Sequence, residues 1–242
     1  MKYDPRLTAD FPTTNQPGAT GDGIIMAEKV NADEVGMQYI QLIPIATPKT
    51  GSLQGGVTIN IESVAFINAN GERFVKEDAR RDVLSNAVLK QPGACYYMVN
   101  DSKIVGEKNE YAENIQDLVK SGSILKAGTL AELAVKMGVP ADKLEKTIAD
   151  FNGFVKAKKD PLGRAVWAGT IDKGPFYAVK RVPAVHHTMG GLKIDTECHV
   201  INKSGTPIAG LYAAGEVTGG IHGTNRLGEN ALPDTIVLGR IA

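Results

Sequence analysis

Glycine density divides this 242-residue sequence into two parts. After residue 180, short apolar stretches alternate with turns, whereas the preceding part contains stretches with helical periodicity. A glycine that follows a strand allows the backbone to approach a ligand closely. The change in pattern therefore predicts a boundary near residue 180 and favours the second part as the place for a ligand. The glycines of this part include Gly190, Gly191, Gly210, Gly215, Gly219, Gly220, Gly223 and Gly228.

Helices and strands are both predicted along the chain, so the expected fold class is α+β. Thr129 followed by Glu132 resembles a capping box, and the helix after it has apolar residues spaced for one buried face. Helices are predicted over residues 24–29, 77–90, 129–137 and 139–158. Strands are predicted over residues 37–42, 64–68, 95–100, 192–194, 200–202 and 211–214, and Asn70-Gly71 predicts a hairpin turn.

Charge and composition exclude several classes of function. Lys+Arg and Asp+Glu number 27 each, so no basic excess indicates a nucleic acid or a membrane surface as partner. No apolar run reaches the length of a membrane span, and no signal peptide is visible. Cys95 and Cys198 are expected to be free thiols, because they are far apart and no CxxC metal pattern occurs.

Both ends are expected to be cut points within a longer chain. The sequence opens in a polar stretch with several prolines and stops at residue 242 inside an apolar helical pattern. A preceding targeting segment could therefore be missing, which leaves the compartment open between cytoplasm and bacterial periplasm.

A strand that ends at Gly215-Glu216 suggests a nucleotide contact. A carboxylate just beyond a strand can accept two hydrogen bonds from a ribose diol, as it does in dinucleotide-binding folds. Further on, Asn230 is a plausible N-cap of a last helix, with Pro233 in its first turn. A helix N-terminus offers N–H groups and partial positive charge, which suit the electron-rich edge of a reduced flavin.

Two segments of the second part, His186–Gly191 and residues 214–232, together resemble the C-terminal signature of a known enzyme family. This family comprises soluble fumarate reductases of the flavocytochrome c type and their relatives, including urocanate reductases and other enoate reductases. The 40 residues from His186 to Arg226 match the family without a gap. Upstream, residues 71–77 and 79–82 resemble the segment with the family's catalytic arginine, and residues 39–44 resemble its strand entering the active site.

The resemblance implies a role for each matching residue. Arg81 would donate a proton to the substrate carbon, while FAD supplies a hydride to the neighbouring alkene carbon. His186 and Arg226 would hold a substrate carboxylate, with Arg226 forming a bidentate pair. The backbone at Glu229 would touch the substrate. Contacts with FAD would come from His187, Glu216, Ala231 and Leu232. No metal ligands are implied.

The resemblance also implies a domain organisation. Residues 1–35 would link from an FAD-binding domain, residues 36–180 would form a capping domain over the substrate, and residues 181–242 would form the C-terminal part of the FAD-binding domain. Electrons would come from a haem, FMN or NADH module outside this chain. No nucleic acid or membrane partner is expected.

Four positions depart from the family pattern. Ile43 stands where fumarate-specific members have a histidine, and an isoleucine cannot hydrogen-bond a second carboxylate. Val57 and Asn60 stand where the family's proton relay has a glutamate and a second arginine, although Glu62 is a possible substitute. Thr58 lies where urocanate reductases have an acid that grips the imidazole. These departures favour an enoate whose far end is uncharged.

Two alternatives to the enoate reductase remain open. One is a flavin dehydrogenase of the ketosteroid 1-dehydrogenase type, which His186 and Arg226 oppose because such substrates lack a carboxylate. The other is a non-catalytic module that binds a small carboxylate or a partner chain.

The FAD site is expected to be incomplete in this chain. A dinucleotide fold holds the pyrophosphate in a GxGxxG loop after its first strand, and no such motif occurs here. We therefore predict weak or no FAD binding, and no activity, for the 242-residue chain alone. The measurement is the flavin absorbance of the purified chain, and a yellow protein with stoichiometric flavin would contradict the prediction.

Overall fold

The computed structural model describes residues 2–242, with the side chain of Ser63 excepted. The helices are α1 (Asp22–Glu28), α2 (Arg81–Leu89), α3 (Ile115–Lys120), α4 (Leu130–Met137), α5 (Ala141–Ala157) and α6 (Ala231–Ile241). The strands are β1 (Glu34–Val35), β2 (Ile40–Ala46), β3 (Ala65–Ile67), β4 (Tyr96–Asp101), β5 (Leu125–Ala127), β6 (Phe176–Thr188), β7 (Gly191–Leu192), β8 (His199–Ile201) and β9 (Pro207–Tyr212). The mixture of helices and strands confirms the predicted α+β class.

The chain divides into two compact units. The sheet unit is Ile43–Ala184, and the glycine-rich unit is Met1–Leu42 together with Val185–Ala242. The chain passes between them within β2 and again within β6. Whether these units correspond to a capping domain and part of an FAD-binding domain stays a prediction.

A five-stranded sheet organises the sheet unit. Its order is β2-β6-β4-β3, and β5 also pairs with β6. Side chains alternate between the two faces along each strand, as the pleat requires. On β4, Tyr96 and Met98 face one hydrophobic cluster while Val99 faces the other.

Helices cover both faces of this sheet. Leu84 and Val88 of α2 pack into the cluster that contains Tyr96. On the other face α4 and α5 pack on β3, β4 and β6, and α5 contributes Leu144, Ile148 and Phe151 to that core. The capping box that opens α4 is present, and the four-three spacing predicted for α5 is confirmed by these buried residues.

The start of α2 was predicted wrongly. The sequence pattern places it at residue 77, whereas the helix begins at Arg81. Glu77 and Asp78 instead accept hydrogen bonds from backbone N–H groups elsewhere in the unit, at Phe66 and at Ala165. These long-range bonds hold the segment outside the helix, which local sequence pattern cannot show.

Other predicted elements differ at their bounds. The strand expected at 37–42 is found further on as β2, which continues through Pro44. Asn70-Gly71 does form a turn, in which the Asn68 carbonyl accepts from the Gly71 N–H at 3.0 Å, but only an isolated bridge between Ile67 and Arg73 follows it. The strand expected at 211–214 lies earlier, as β9.

Short antiparallel pairs build the glycine-rich unit. β1 pairs with β7, and β8 pairs with β9. A small core lies beside them, formed by Ala27, Ala32, Leu192, Val200 and Ala213. Cys95 and Cys198 are free thiols, as predicted. None of the described helices is both long and apolar enough to cross a membrane.

Candidate functional site

His187 is the centre of a polar cluster in the glycine-rich unit. Its ring lies edge-on to that of His222, with 5.3 Å between centroids, and its Nδ1 is 3.5 Å from the carboxylate of Glu216. His187 is 4 % exposed, whereas the side chain of Glu216 is half exposed, so the contact has one buried and one accessible partner. His222 Nε2 is in turn 3.0 Å from Asp234 Oδ2. The cluster therefore joins β6 to the first turn of α6 through two imidazole rings.

Glu216 lies at the end of a short backbone turn that only glycine permits. Gly215 before it has φ of 77°, and a side chain at Gly191 would place its Cβ 2.3 Å from the Val217 carbonyl oxygen. The close approach of these backbones fixes Glu216 beside β6, where Oε1 accepts from the Thr188 N–H at 3.0 Å. Its side chain is half exposed, so a ligand can still reach the carboxylate.

Arg226 is buried with its charge incompletely matched. It is 6 % exposed, and its Nη1 donates to the carbonyl of Leu227 at 3.1 Å. Its Nε is buried and has no hydrogen-bond partner among the described residues. Burial lowers the pKa of Arg226 below its ordinary value, and the carboxylate of Glu216 opposes this effect only in part. The side chain thus presents a desolvated cation that suits an anionic ligand.

Gln41 holds the loop that carries Arg226. Its Nε2 donates to the Arg226 carbonyl at 2.6 Å and to Asn225 Oδ1 at 3.0 Å. Gln41 is 2 % exposed and lies on β2 among apolar residues. A buried amide in an apolar strand requires hydrogen-bond partners, and the Arg226 loop supplies them to Nε2, whereas Oε1 is buried without a partner among the described residues.

His186 faces a different partner from its neighbour. Its Nδ1 is 2.7 Å from the hydroxyl of Thr14, and Thr14 itself bonds to β6, where its N–H donates to the Val185 carbonyl at 2.9 Å. The contact at Nδ1 fixes the orientation of the His186 ring.

The start of α6 differs from its prediction in one respect. Asn230 lies at the N-cap position, but it adopts helical φ and ψ angles of −61° and −13°, and its side chain makes no capping hydrogen bond in the described structure. Side-chain capping needs an extended N-cap backbone. In its absence the Leu232 N–H donates to the Glu229 carbonyl at 2.9 Å, and Pro233 has no N–H to satisfy. Glu229 before the helix has φ of 69°, Ala231 is half-buried and Leu232 is exposed.

Arg81 belongs to the sheet unit and is the first residue of α2. It is half-buried. Among the positions that depart from the family pattern, Ile43 is 4 % exposed and packs with Ala46 and Ala184, and Val57 is buried. Asn60 and Glu62 are exposed. The Thr58 hydroxyl donates to Glu110 Oε1, which also accepts from the Ile59 N–H.

Four residues of these clusters carry no assignment from sequence reasoning. Gln41, Asn225, His222 and Asp234 all bond to site residues or to one another. A glutamine within an apolar strand is a signal that could have identified Gln41. Nothing local marks the pair formed by His222 and Asp234, because twelve residues and a turn separate them.

Comparisons with known proteins show the family to which the chain belongs. The family described as FAD binding domain matches residues 5–232, so the chain belongs to that family. Within it, the chain is 47 % identical over 241 residues to the NADH:acrylate oxidoreductase of Vibrio harveyi, covering 99 % of this chain and 24 % of that protein. It is 38 % identical over 247 residues to the urocanate reductase of Eggerthella lenta, covering 100 % of this chain and 41 % of that protein.

A solved structure of a flavoprotein has a fold similar to that of this chain. The open conformation of a flavocytochrome c3 fumarate reductase aligns with a TM-score of 0.75 and 37 % identity, covering 100 % of this chain and 42 % of that one. The chain thus spans less than half the length of these relatives. FAD is the family's cofactor, and one group of the chain fits it: Asp234 Oδ1 is buried without a hydrogen-bond partner among the described residues and can accept from a donor of the cofactor.

The backbone packing beside Glu216 predicts a sharp difference between two glycines. Gly191→Ala should lower the free energy of unfolding by roughly 1–3 kcal/mol, because its Cβ would overlap the Val217 carbonyl. Gly153→Ala in α5 meets no atom within 4 Å and should raise the free energy of unfolding by about 0.5–1 kcal/mol through helix propensity. Urea denaturation of both variants measures the difference, and equal effects would contradict this account of the turn.

Proposed function

We propose that this chain acts in the flavin-dependent reduction of an α,β-unsaturated carboxylate, together with the further sequence that its relatives contain. The proposal is supported by membership of an FAD-binding family and by relatives named for acrylate, urocanate and fumarate. The chain spans less than half of those relatives, so we expect it to be inactive alone.

The buried guanidinium of Arg226 is the observation that carries the proposal. A buried arginine keeps its charge, because its pKa in water is above about 12. Removing that charge from water is unfavourable unless an anion with good geometry compensates it. A carboxylate fits the planar donor edge through two parallel hydrogen bonds. Arg226 therefore favours a substrate with a carboxylate and opposes a neutral steroid.

His186 is the second group assigned to the substrate carboxylate. The contact between the Thr14 hydroxyl and Nδ1 fixes the ring, and we assign Nε2 to the substrate carboxylate. When Nε2 carries the proton, it donates to a carboxylate oxygen. In this scheme the backbone at Glu229, held at a positive φ by the turn before α6, also contacts the substrate.

Arg81 is assigned as the proton donor. An arginine can act as an acid when it passes on a proton that it receives from a relay, since it does not stay deprotonated at neutral pH. FAD, when bound, supplies the hydride to one alkene carbon. The guanidinium of Arg81 then delivers the proton to the neighbouring carbon, so that the double bond becomes a single bond.

The substrate is proposed to be an enoate with an uncharged far end. Ile43 is buried with Ala46 and Ala184 and has no group that bonds a second carboxylate. A relative named for acrylate agrees with this proposal. Urocanate is the second candidate, because Glu110 brings a carboxylate to Thr58, and an acid near that position would suit an imidazole.

Arg81 provides the direct test of the mechanism. In the full-length gene product, Arg81→Gln should lower kcat by roughly 10²–10⁴-fold, because proton transfer to carbon loses its donor. The neighbouring Arg80→Gln is the matched control, since Arg80 is exposed and pairs with Asp82. Flavin content is measured beside turnover, and an active Arg81→Gln enzyme with bound FAD would refute the role of Arg81.

Ile43 provides the test of substrate class. Steady-state rates of the full-length protein should be highest with acrylate or substituted acrylates and lower with fumarate, because the second carboxylate of fumarate would be desolvated without a partner. Ile43→His should raise kcat/KM for fumarate relative to acrylate. A preference of the unaltered protein for fumarate would exclude the proposed class, and a preference for urocanate would select the second candidate.

A further inference from the structure

Buried charges hold the segment that leads into α2. Glu77 has no exposed side-chain surface, and its Oε1 accepts from the Phe66 N–H at 3.1 Å and from Arg73 Nε at 2.8 Å. Its Oε2 accepts from Arg73 Nη2 at 2.6 Å. Arg73 Nη2 also reaches Asp160 Oδ2 at 2.7 Å. The segment is thereby tied to β3 on one side and to the loop after α5 on the other.

Arg164 completes this network from the loop after α5. Its Nη1 is 3.1 Å from Glu77 Oε2 and donates to the Val64 carbonyl at 2.8 Å. Its Nη2 donates to the carbonyls of Ile61 and Glu62. Burial lowers the pKa of Arg164, and the carboxylate of Glu77 opposes that change. The charges of the two arginines are thus balanced by the carboxylates of Glu77 and Asp160. Movement of the loop would leave a buried charge without its partner, which is unfavourable.

Asp78 adds a contact of a different kind. Its Oδ2 accepts from the Ala165 N–H at 2.7 Å and from the Val166 N–H at 3.1 Å. Both N–H groups belong to the loop that Arg164 fixes. Charge-assisted hydrogen bonds of a carboxylate to backbone N–H groups are stronger than neutral ones. Glu77 and Asp78 are consecutive in the sequence, and their carboxylates bond to two different parts of the sheet unit. Glu77 bonds to β3, and Asp78 bonds to the loop after α5.

The position of the first turn of α2 depends on the hydrogen bonds of Glu77 and Asp78. Arg80 at the N-cap makes no side-chain capping bond in the described structure, so the helix end lacks the usual local support. Within the helix, the first residue buried in the core is Leu84. Arg81 lies three residues after Asp78 and three before Leu84, between two fixed points. A shift of either point moves its guanidinium.

We propose that Asp78 is a positioning residue for Arg81. By bonding the Ala165 and Val166 N–H groups, its carboxylate sets the place from which α2 starts and hence where the Arg81 guanidinium is held. This inference rests on the proposed function of Arg81 as the proton donor. Small displacements of a catalytic group lower the rate far more than they weaken ground-state binding.

Two substitutions at position 78 distinguish an effect on the position of Arg81 from an effect on the stability of the fold. In the full-length flavoprotein, Asp78→Ala should lower kcat roughly tenfold or more and change KM for the enoate by less than about threefold. Asp78→Asn keeps a side-chain oxygen that can accept from both N–H groups, and should restore most of kcat. Asp150→Ala is the control, because Asp150 is an exposed acid paired with Lys146.

Amide hydrogen exchange provides the readout that does not depend on activity. Exchange across residues 79–84 should be faster in Asp78→Ala than in the unaltered protein, and close to unaltered in Asp78→Asn. Faster exchange with an unchanged kcat would overturn the positioning role, and so would unchanged exchange. If Asp78→Ala does not fold, Asp78→Ser is expected to show the same loss of kcat, because its shorter side chain does not bring an acceptor to the Ala165 and Val166 N–H groups, and full activity in it would also overturn the role.

The experiment distinguishes this inference from the proposed function. If Arg81→Gln retains turnover, the assignment of Arg81 fails whatever the variants of Asp78 show. If Arg81→Gln is inactive while Asp78→Ala has normal kcat, only the positioning role of Asp78 fails.

Discussion

The guanidinium charge of Arg226 is buried without a bonded counter-ion among the described residues. Arg226 is shielded from water, its Nε has no partner among the described residues, and its nearest electrostatic compensation comes from the half-exposed Glu216. Such an arrangement is unfavourable in the free protein and becomes favourable when a carboxylate arrives. Binding energy of this kind is specific for an anion and discriminates against a neutral ligand of the same shape.

The two units support their functional side chains by different means. In the glycine-rich unit, the close backbone approach at Gly191 and the positive φ of Gly215 fix Glu216 beside His187. In the sheet unit, the apolar layer on one face of the sheet holds α2, and the buried charges around Glu77 hold the segment before it. Rigid elements of this sort would hold Arg81 within the small tolerance that its proposed proton transfer requires.

Sequence reasoning found the features that local pattern encodes. The capping box of α4 and the buried stripe of α5 follow from spacing alone. It placed the start of α2 wrongly, because bonds from Glu77 and Asp78 to distant backbone override helical propensity. It also missed the contact of His222 with Asp234, which exists only after the turn before α6 brings them together. Long-range hydrogen bonds between polar side chains leave no periodic trace in a sequence.

Binding of a saturated analogue tests the central claim most directly. Propionate carries the carboxylate without the reactive double bond, and propionamide has nearly the same shape without the charge. Calorimetric titration of the full-length flavoprotein should show binding of propionate but not of propionamide, and Arg226→Met should lose the propionate signal while retaining FAD. Equal binding of the two compounds, or unchanged propionate affinity in Arg226→Met, would contradict the account.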